Sequence, residues 1–153
     1  MALEIHKILV PIDGSEGAEK AAEFAGHLAR HTNAAVTLLR VHSPEIYQLS
    51  VLSEIPPLTD FEYMDVMQKH LSDPEKDPAF AEAKQAIGAL SAPIEVRVAW
   101  GQPAQAICDY AKENAIDHIV IGSRGRSAFS ALVLGSVSLQ VLHHAPCPVT
   151  VVR

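Results

Sequence analysis

The chain is poor in cysteine, with two in 153 residues, Cys108 and Cys147. They form no CxxC pair and no metal-spaced cluster, so neither a disulfide framework nor a cysteine metal site underlies the fold. A reducing compartment fits this usage. No apolar run approaches the ~20 residues that cross a bilayer. The opening Met1-Ala2-Leu3-Glu4-Ile5-His6-Lys7 lacks a basic start followed by a long apolar stretch, so no signal peptide is expected and a cytoplasmic protein is. Basic charge is in deficit: 12 Lys plus Arg against 18 Asp plus Glu leaves a formal charge of −6. Such a balance repels a phosphate-rich duplex overall. Internal repeats and low-complexity segments are missing. So are a GxxxxGK loop followed by Ser or Thr, a GxSxG elbow and a GxGxxG turn, which argues against a P-loop, a nucleophile elbow and a dinucleotide enzyme.

What is present is an ordinary globular composition, 48% apolar and 20% charged. This excludes disorder or a coiled coil as the main state. A chain of this length forms one domain, residues 1–153, and buries roughly 70% of its unfolded surface without metal or disulfide.

Short apolar runs alternate with helical spacing. Lys7-Ile8-Leu9-Val10-Pro11-Ile12 reads as a strand buried on both faces, ending at the turn Asp13-Gly14-Ser15. Ala18, Ala21, Ala22, Ala25, Leu28 and Ala29 form one face of a helix, with Asn33 just past its end. Ala35–His42 is the next strand. Residues 44–60, with Pro56-Pro57, read as a long connection. Phe61, Met64, Met67 and Leu71 restore helical spacing, Pro74 and Pro78 interrupt it, and Phe80, Ala83, Ile87 and Leu90 suggest a second helical piece. Ile94, Val96 and Val98 alternate with more polar residues, as in a strand near a sheet edge. Pro103 suits a helix start, and Ala104, Ile107, Cys108, Ala111 and Ala115 share one face. His118-Ile119-Val120-Ile121 is a short buried strand. A last helix begins near Ser136 with Val137, Val141 and Leu142, and Val149–Val152 is the final strand. This β-α-β-α-β-α-β-α-β order implies an α/β fold: a five-stranded parallel sheet with helices on both faces. Ligands in such sheets lie beyond the carboxyl ends of the strands, here Asp13, Val41-His42, Ala99–Gly101 and Gly122–Gly125.

The feature richest in chemistry is Gly122-x2-Gly125, nine residues, then Gly135-Ser136. Glycines after a strand permit positive φ and close approach of a ligand to the backbone, and successive N–H groups can form an anion nest. Gly135-Ser136 at a helix start adds exposed N–H groups and the positive end of the helix dipole. Arg124 and Arg126 add charge. Loop and helix start together can hold a polyphosphate. The same residues also suit a glycine turn followed by an ordinary Ser N-cap, and physics alone leaves both open.

The whole pattern resembles the universal stress protein family. Gly122-x2-Gly125-x9-Gly135-Ser136 is similar to that family's ATP-binding signature. Ile8-Leu9-Val10-Pro11-Ile12-Asp13-Gly14-Ser15 resembles its first strand and turn, and Trp100-Gly101-Gln102-Pro103-x3-Ile107 its third strand-to-helix junction. Leu142-x3-Pro146-Cys147-Pro148-Val149-Thr150-Val151-Val152 resembles its last helix and strand. The similarity covers nearly the whole chain and is weakest over 44–92, where Pro74 and Pro78 break a region that is usually one long helix in the family.

The resemblance implies a Rossmann-like, adenine nucleotide alpha hydrolase-like fold and a set of roles. Pro11, Ile12 and Asp13 would lie beside the adenosine, with Asp13 bonding ribose or adenine. Asp13 also reads as a turn or cap residue, since Asp13-x2-Glu16 has the form of a capping box. Val41 would meet adenine through its backbone. Gly122, Arg124, Gly125 and Arg126 would surround ribose and phosphates. Gly135, Ser136 and Val137 would hold the β- and γ-phosphates with backbone N–H groups, helped by the Ser136 and Ser138 hydroxyls. Mg²⁺ or Mn²⁺ would be held mainly by phosphates and water, because there is no dedicated carboxylate cage. The terminal strand Val149–Val152 would pair with its copy in a homodimer, with a regulatory protein as a further partner.

Other candidates read as structural. His27 and His31 stand at i and i+4 without an evident third ligand, and His143-His144 suits a helix C-terminus. Cys108 falls on an apolar helix face, and Cys147 lies between prolines. The first functional expectation is therefore an ATP-binding, dimeric stress or energy-state signalling module. An interaction module that binds no nucleotide is the second; Arg124→Glu and Gly135→Trp would leave its function untouched. A slow ATPase or autophosphorylating enzyme is the third, with Ser127, Ser136 or Ser138 as conceivable acceptors and Gly122→Val as the control for phosphate release.

Overall fold

The computed structural model describes residues 3–43, 73–124 and 134–153. In chain order these form β1 (Lys7–Ile12), α1 (Glu16–Thr32), β2 (Ala35–His42), a 3₁₀ turn (Pro74–Lys76), α2 (Pro78–Ile87), β3 (Ile94–Trp100), α3 (Pro103–Glu113), β4 (His118–Gly122), α4 (Ser136–His144) and β5 (Val149–Val152). The connection expected over 44–60 and the helical spacing over 61–71 lie outside the described residues.

Every strand pair is parallel, in the order β3-β2-β1-β4-β5. The α/β sheet implied by the alternating pattern is the one that forms, with β3 at one edge. β1 sits at the centre and is buried at every position after Lys7. The chain runs outward from it through β2 and β3, then outward the other way through β4 and β5. The carboxyl ends of β1 and β4 therefore flank the point where strand order reverses, the place where sheets of this kind bind ligands.

Side-chain alternation along the strands feeds two cores. Ile8, Val10, Ile12, Val36, Leu38 and Val120 face α1 and α2. Leu9, Leu39, Ile119 and Ile121 face α3 and α4. Each fully buried aliphatic side chain of this size contributes about 1.5–3 kcal/mol. The small residues of α1, Ala18, Ala21, Ala22, Ala25 and Ala29, are all buried, and they let its backbone lie close to the sheet. Gly26 brings it closer still to α2: a Cβ there would stand 2.5 Å from the Ile87 carbonyl oxygen. Arg30 Nη1 donates to that same carbonyl at 2.7 Å.

Three local expectations change. The cap of α1 is Ser15, whose Oγ accepts the Ala18 N–H at 3.2 Å. Asp13 instead closes the preceding turn, its Oδ1 accepting the Ser15 N–H at 2.9 Å, so the Asp13-x2-Glu16 capping box does not form. Pro78 does not interrupt a helix but begins one: it occupies the first turn of α2, where a missing N–H costs nothing. Ala115 lies beyond α3 in the left-handed region at φ 51° and not on the helical face.

His118, the first residue of β4, has its Nε2 2.7 Å from Thr150 Oγ1 on β5. Its Nδ1 is buried without a partner among the described residues. Burial pushes the imidazole below its ordinary value of 6.5. The unfolded chain therefore takes up this proton more readily than the folded one. The contribution is complete above about pH 6.5 and is lost as pH falls through the lower folded value. Urea unfolding at about pH 7.5 and about pH 5.5 should show a smaller acid loss in His118→Asn than in the parent chain.

Candidate functional site

Four chain segments meet at the reversal point. The end of β1 contributes Pro11, Ile12 and Asp13. Pro11 and Ile12 are buried and Asp13 is half-buried, so beyond the core Pro11 and Ile12 present backbone only. Gly14 follows at φ 77°, a conformation that L side chains rarely adopt. Val41 at the end of β2 is half-buried and packs on the α3/α4 core.

Gly122 ends β4 beside the first turn of α1. A Cβ on Gly122 would lie 2.7 Å from both C and O of Gly17, and a Cβ on Gly17 would lie 2.5 Å from the Arg124 carbonyl oxygen. Gly122 has no positive φ. It is required because a helix backbone fills the space where its side chain would be, and not for a left-handed turn or for room for a ligand. Gly17 is the residue that sequence reasoning missed. A glycine inside a helical turn costs ~1 kcal/mol against alanine, and that cost was the available signal of a close approach.

Ser123 joins the two ends of the loop. Its N–H donates to Val152 O at 2.8 Å, and its carbonyl accepts the Gly135 N–H at 2.7 Å. The same carbonyl lies 3.1 Å from Ser138 Oγ, which also lies 2.9 Å from Gly135 O. Two of the expected phosphate donors have partners within the chain. The Gly135 N–H is engaged by the Ser123 carbonyl, and the Ser138 hydroxyl is buried and bonded inward. Ser138→Ala should cost about 1 kcal/mol, read as a fall of about 2–4 °C in melting temperature.

The N–H groups of Ser136, Val137 and Ser138 form the first turn of α4. Its N-cap, Gly135, offers no side-chain acceptor, and no acid stands in the first turn. α1 differs on both counts: Ser15 caps it, and Glu16 and Glu19 occupy its first turn. Of the two helix starts at the crevice, only that of α4 leaves its dipole and N–H groups for an external anion. Arg124 is beside it, its Cα 3.6 Å from where a Gly135 Cβ would be. Ser136 is exposed and Val137 half-buried. Gly125, Arg126 and Ser127 lie outside the described residues.

Among the described residues no group of three or more His, Cys, Asp or Glu is placed to hold a metal. The His27 and His31 rings are 4.6 Å apart, and His31 Nδ1 is bonded to the His27 carbonyl at 2.8 Å. Cys108 and Cys147 are free thiols, both pushed above the ordinary thiol value by burial, which disfavours reactive thiolate.

Comparison with known proteins extends this geometry. The model of the universal stress protein family matches residues 4–153. Universal stress protein YxiE of Bacillus subtilis is 34% identical over 97% of this chain and 99% of its own. The structure of universal stress protein UspA from Lactobacillus plantarum superposes with a TM-score of 0.76 at 27% identity, covering 99% of this chain and 100% of that one. A universal stress protein solved in complex with cAMP superposes with a TM-score of 0.63 at 26% identity, covering 98% of each chain.

Proposed function

The chain belongs to the universal stress protein family, and from that premise we propose that it binds an adenine nucleotide, ATP foremost, in the β1/β4 crevice and acts as a dimeric signalling module for stress or energy state. One observation carries the reading: the α4 N-terminus, uncapped and without acids, beside Arg124 at the reversal point of the sheet. A relative of the same fold solved with cAMP supports the nucleotide class.

In this reading the backbone at Pro11 and Ile12, the Asp13 carboxylate and the Val41 backbone meet base and ribose. The Ser136, Val137 and Ser138 N–H groups and the Ser136 hydroxyl take the terminal phosphates. Gly122 shapes the floor, and Arg124 lends charge, with Gly125 and Arg126 completing the loop. Mg²⁺ or Mn²⁺ would neutralise phosphate charge. The described residues fit an ion held through phosphates and water, because Asp13 Oδ1 is already bonded to the turn.

The dimer would form through β5. It is an edge strand of four half-buried residues paired only with β4 among the described residues, and Leu139 and Leu142 of α4 are exposed nearby in sequence at 44% and 41%. An open edge is a template for pairing.

The test is the nucleotide content of freshly purified protein. Denaturation, chromatography and mass identification should yield ATP or ADP near one per chain. If none appears and millimolar Mg-ATP produces no thermal shift, the glycine signature is only a turn and the chain is a nucleotide-independent interaction module.

A further inference from the structure

Three buried side-chain nitrogens lack a hydrogen-bond partner among the described residues: Arg40 Nη1, Trp100 Nε1 and His118 Nδ1. The first two stand together. The β2–β3 register sets Arg40 opposite Val98 and His42 opposite Trp100. Alternation puts Arg40 and Trp100 on the same face of the sheet, one diagonal step apart, within reach for long side chains. That face is the one toward α1 and α2, because Val36, Leu38, Val96 and Val98 pack there.

Both atoms are donors, and neither can accept. Asp77 does not satisfy them. Its Oδ2 lies 3.3 Å from Arg40 Nε, and its Oδ1 accepts the Ala79 N–H at 3.0 Å, which holds the carboxylate to the start of α2. The Trp100 ring is stacked on His42, with centroids 4.9 Å apart and planes at 32°. The Gly101 N–H donates to His42 O at 3.0 Å and closes the strand ends over them. The indole N–H and one guanidinium nitrogen, at diagonal positions of β2 and β3 on one face, are thus both buried without an acceptor among the described residues.

We propose that Arg40 and Trp100 form a second binding subsite, at the carboxyl edge of β2 and β3 on the α1/α2 face, that takes an oxyanion of a small molecule, a carboxylate or phosphate oxygen. A guanidinium arm and an indole N–H on one face of the sheet, both donors without an acceptor among the described residues, suit an anionic oxygen better than any cation or apolar group. The subsite goes beyond the nucleotide reading and stands without it, since the α4 phosphate end lies across β1 and β4. Its oxyanion belongs to a small anion independent of the nucleotide, whose phosphates the proposed function assigns to α4.

Trp100 is the single tryptophan of the chain, so tryptophan fluorescence reports on this end of β3. Nucleotide-free protein is titrated with inorganic phosphate and with acetate, ionic strength being held constant with chloride so that screening does not mimic binding. ATP is titrated separately, with calorimetry in parallel. A saturable change in emission with phosphate or acetate, weakened at least tenfold in Arg40→Lys, supports an independent anion. Arg40→Lys keeps a charge for Asp77 while removing the forked arm. A change with ATP alone, phosphate and acetate being silent, reports the base beside Val41 and overturns the proposal. Trp100→Phe, which keeps an aromatic ring but removes the indole N–H with its five-membered ring, should weaken the calorimetric signal for the responding ligand. Emission indifferent to all three ligands means that a trapped water satisfies both donors, and it overturns the proposal. Absence of ATP binding together with a phosphate response overturns the nucleotide reading and leaves this one standing.

Discussion

Gly122→Ala lowers the melting temperature by about 2–12 °C, whether or not nucleotide is present. The added Cβ would sit 2.7 Å from Gly17 C and O and 3.2 Å from Ala18 N. All three are backbone atoms of a helix, so no side chain can turn aside. Overpacking of this kind costs about 1–3 kcal/mol, and each kcal/mol moves a domain of this size by about 2–4 °C. The reciprocal variant is more diagnostic. Gly17→Ala exchanges glycine for the best helix former inside α1, and helix propensity alone would stabilise the chain by ~1 kcal/mol. The close contact has the opposite sign, because the new Cβ meets the Arg124 carbonyl oxygen at 2.5 Å. Loss of stability in Gly17→Ala would show that the contact outweighs propensity, and a gain would sink this account. In the double variant the helix is already displaced by the first methyl, so the two losses sum to more than the combined effect. For the same reason Gly122→Val is no control for phosphate release: it damages the fold before it can report on a ligand.

Ser136→Asp separates folding from binding by moving them in opposite directions. A carboxylate in the first turn of α4 faces the positive end of the helix dipole and should stabilise the nucleotide-free protein by about 0.3–1 kcal/mol. It also puts negative charge where the proposed phosphates lie. ATP affinity should fall about 10–100-fold, equivalent to about 1.4–2.8 kcal/mol. Ser136→Asn, equal in shape but neutral, should bind ATP within a few-fold of the parent, about 1 kcal/mol at most. Calorimetry on the three proteins decides the matter. Undiminished binding in Ser136→Asp would remove the phosphates from the α4 N-terminus.

The five strands were legible because burial on two faces leaves continuous apolar runs, as in Leu9-Val10-Pro11-Ile12, and because each run is followed by helical spacing. The edge position of β3 was legible from its alternation with Glu95 and Arg97. Less legible was anything decided by contact between distant segments. Gly122 drew attention as a possible phosphate-loop glycine, whereas the structure fills its side-chain space with the backbone of Gly17. Gly135 and Ser138 read as phosphate donors, yet the Ser123 carbonyl engages both. Pro78 carries the same local chemistry whether it ends one helix or begins another, and only Asp77, whose side chain accepts the Ala79 N–H, settles which. The choice between Asp13 and Ser15 as the cap of α1 rested on a difference of two residues, where the spacing rules of caps overlap.

The carbonyl of Ser123 has a consequence for how this chain tolerates change. It fixes the separation between the end of β4 and the start of α4 by two bonds that belong to neither the intervening segment nor any ligand. Both bonds join described residues on either side of 125–133. Lengthening such a segment adds only about 0.6 kcal/mol per doubling, because loop entropy grows with the logarithm of length. The arrangement predicts that a peptide tag inserted after Ser127, which leaves Gly125 and Arg126 of the proposed nucleotide loop in place, keeps the sheet and both helices in register.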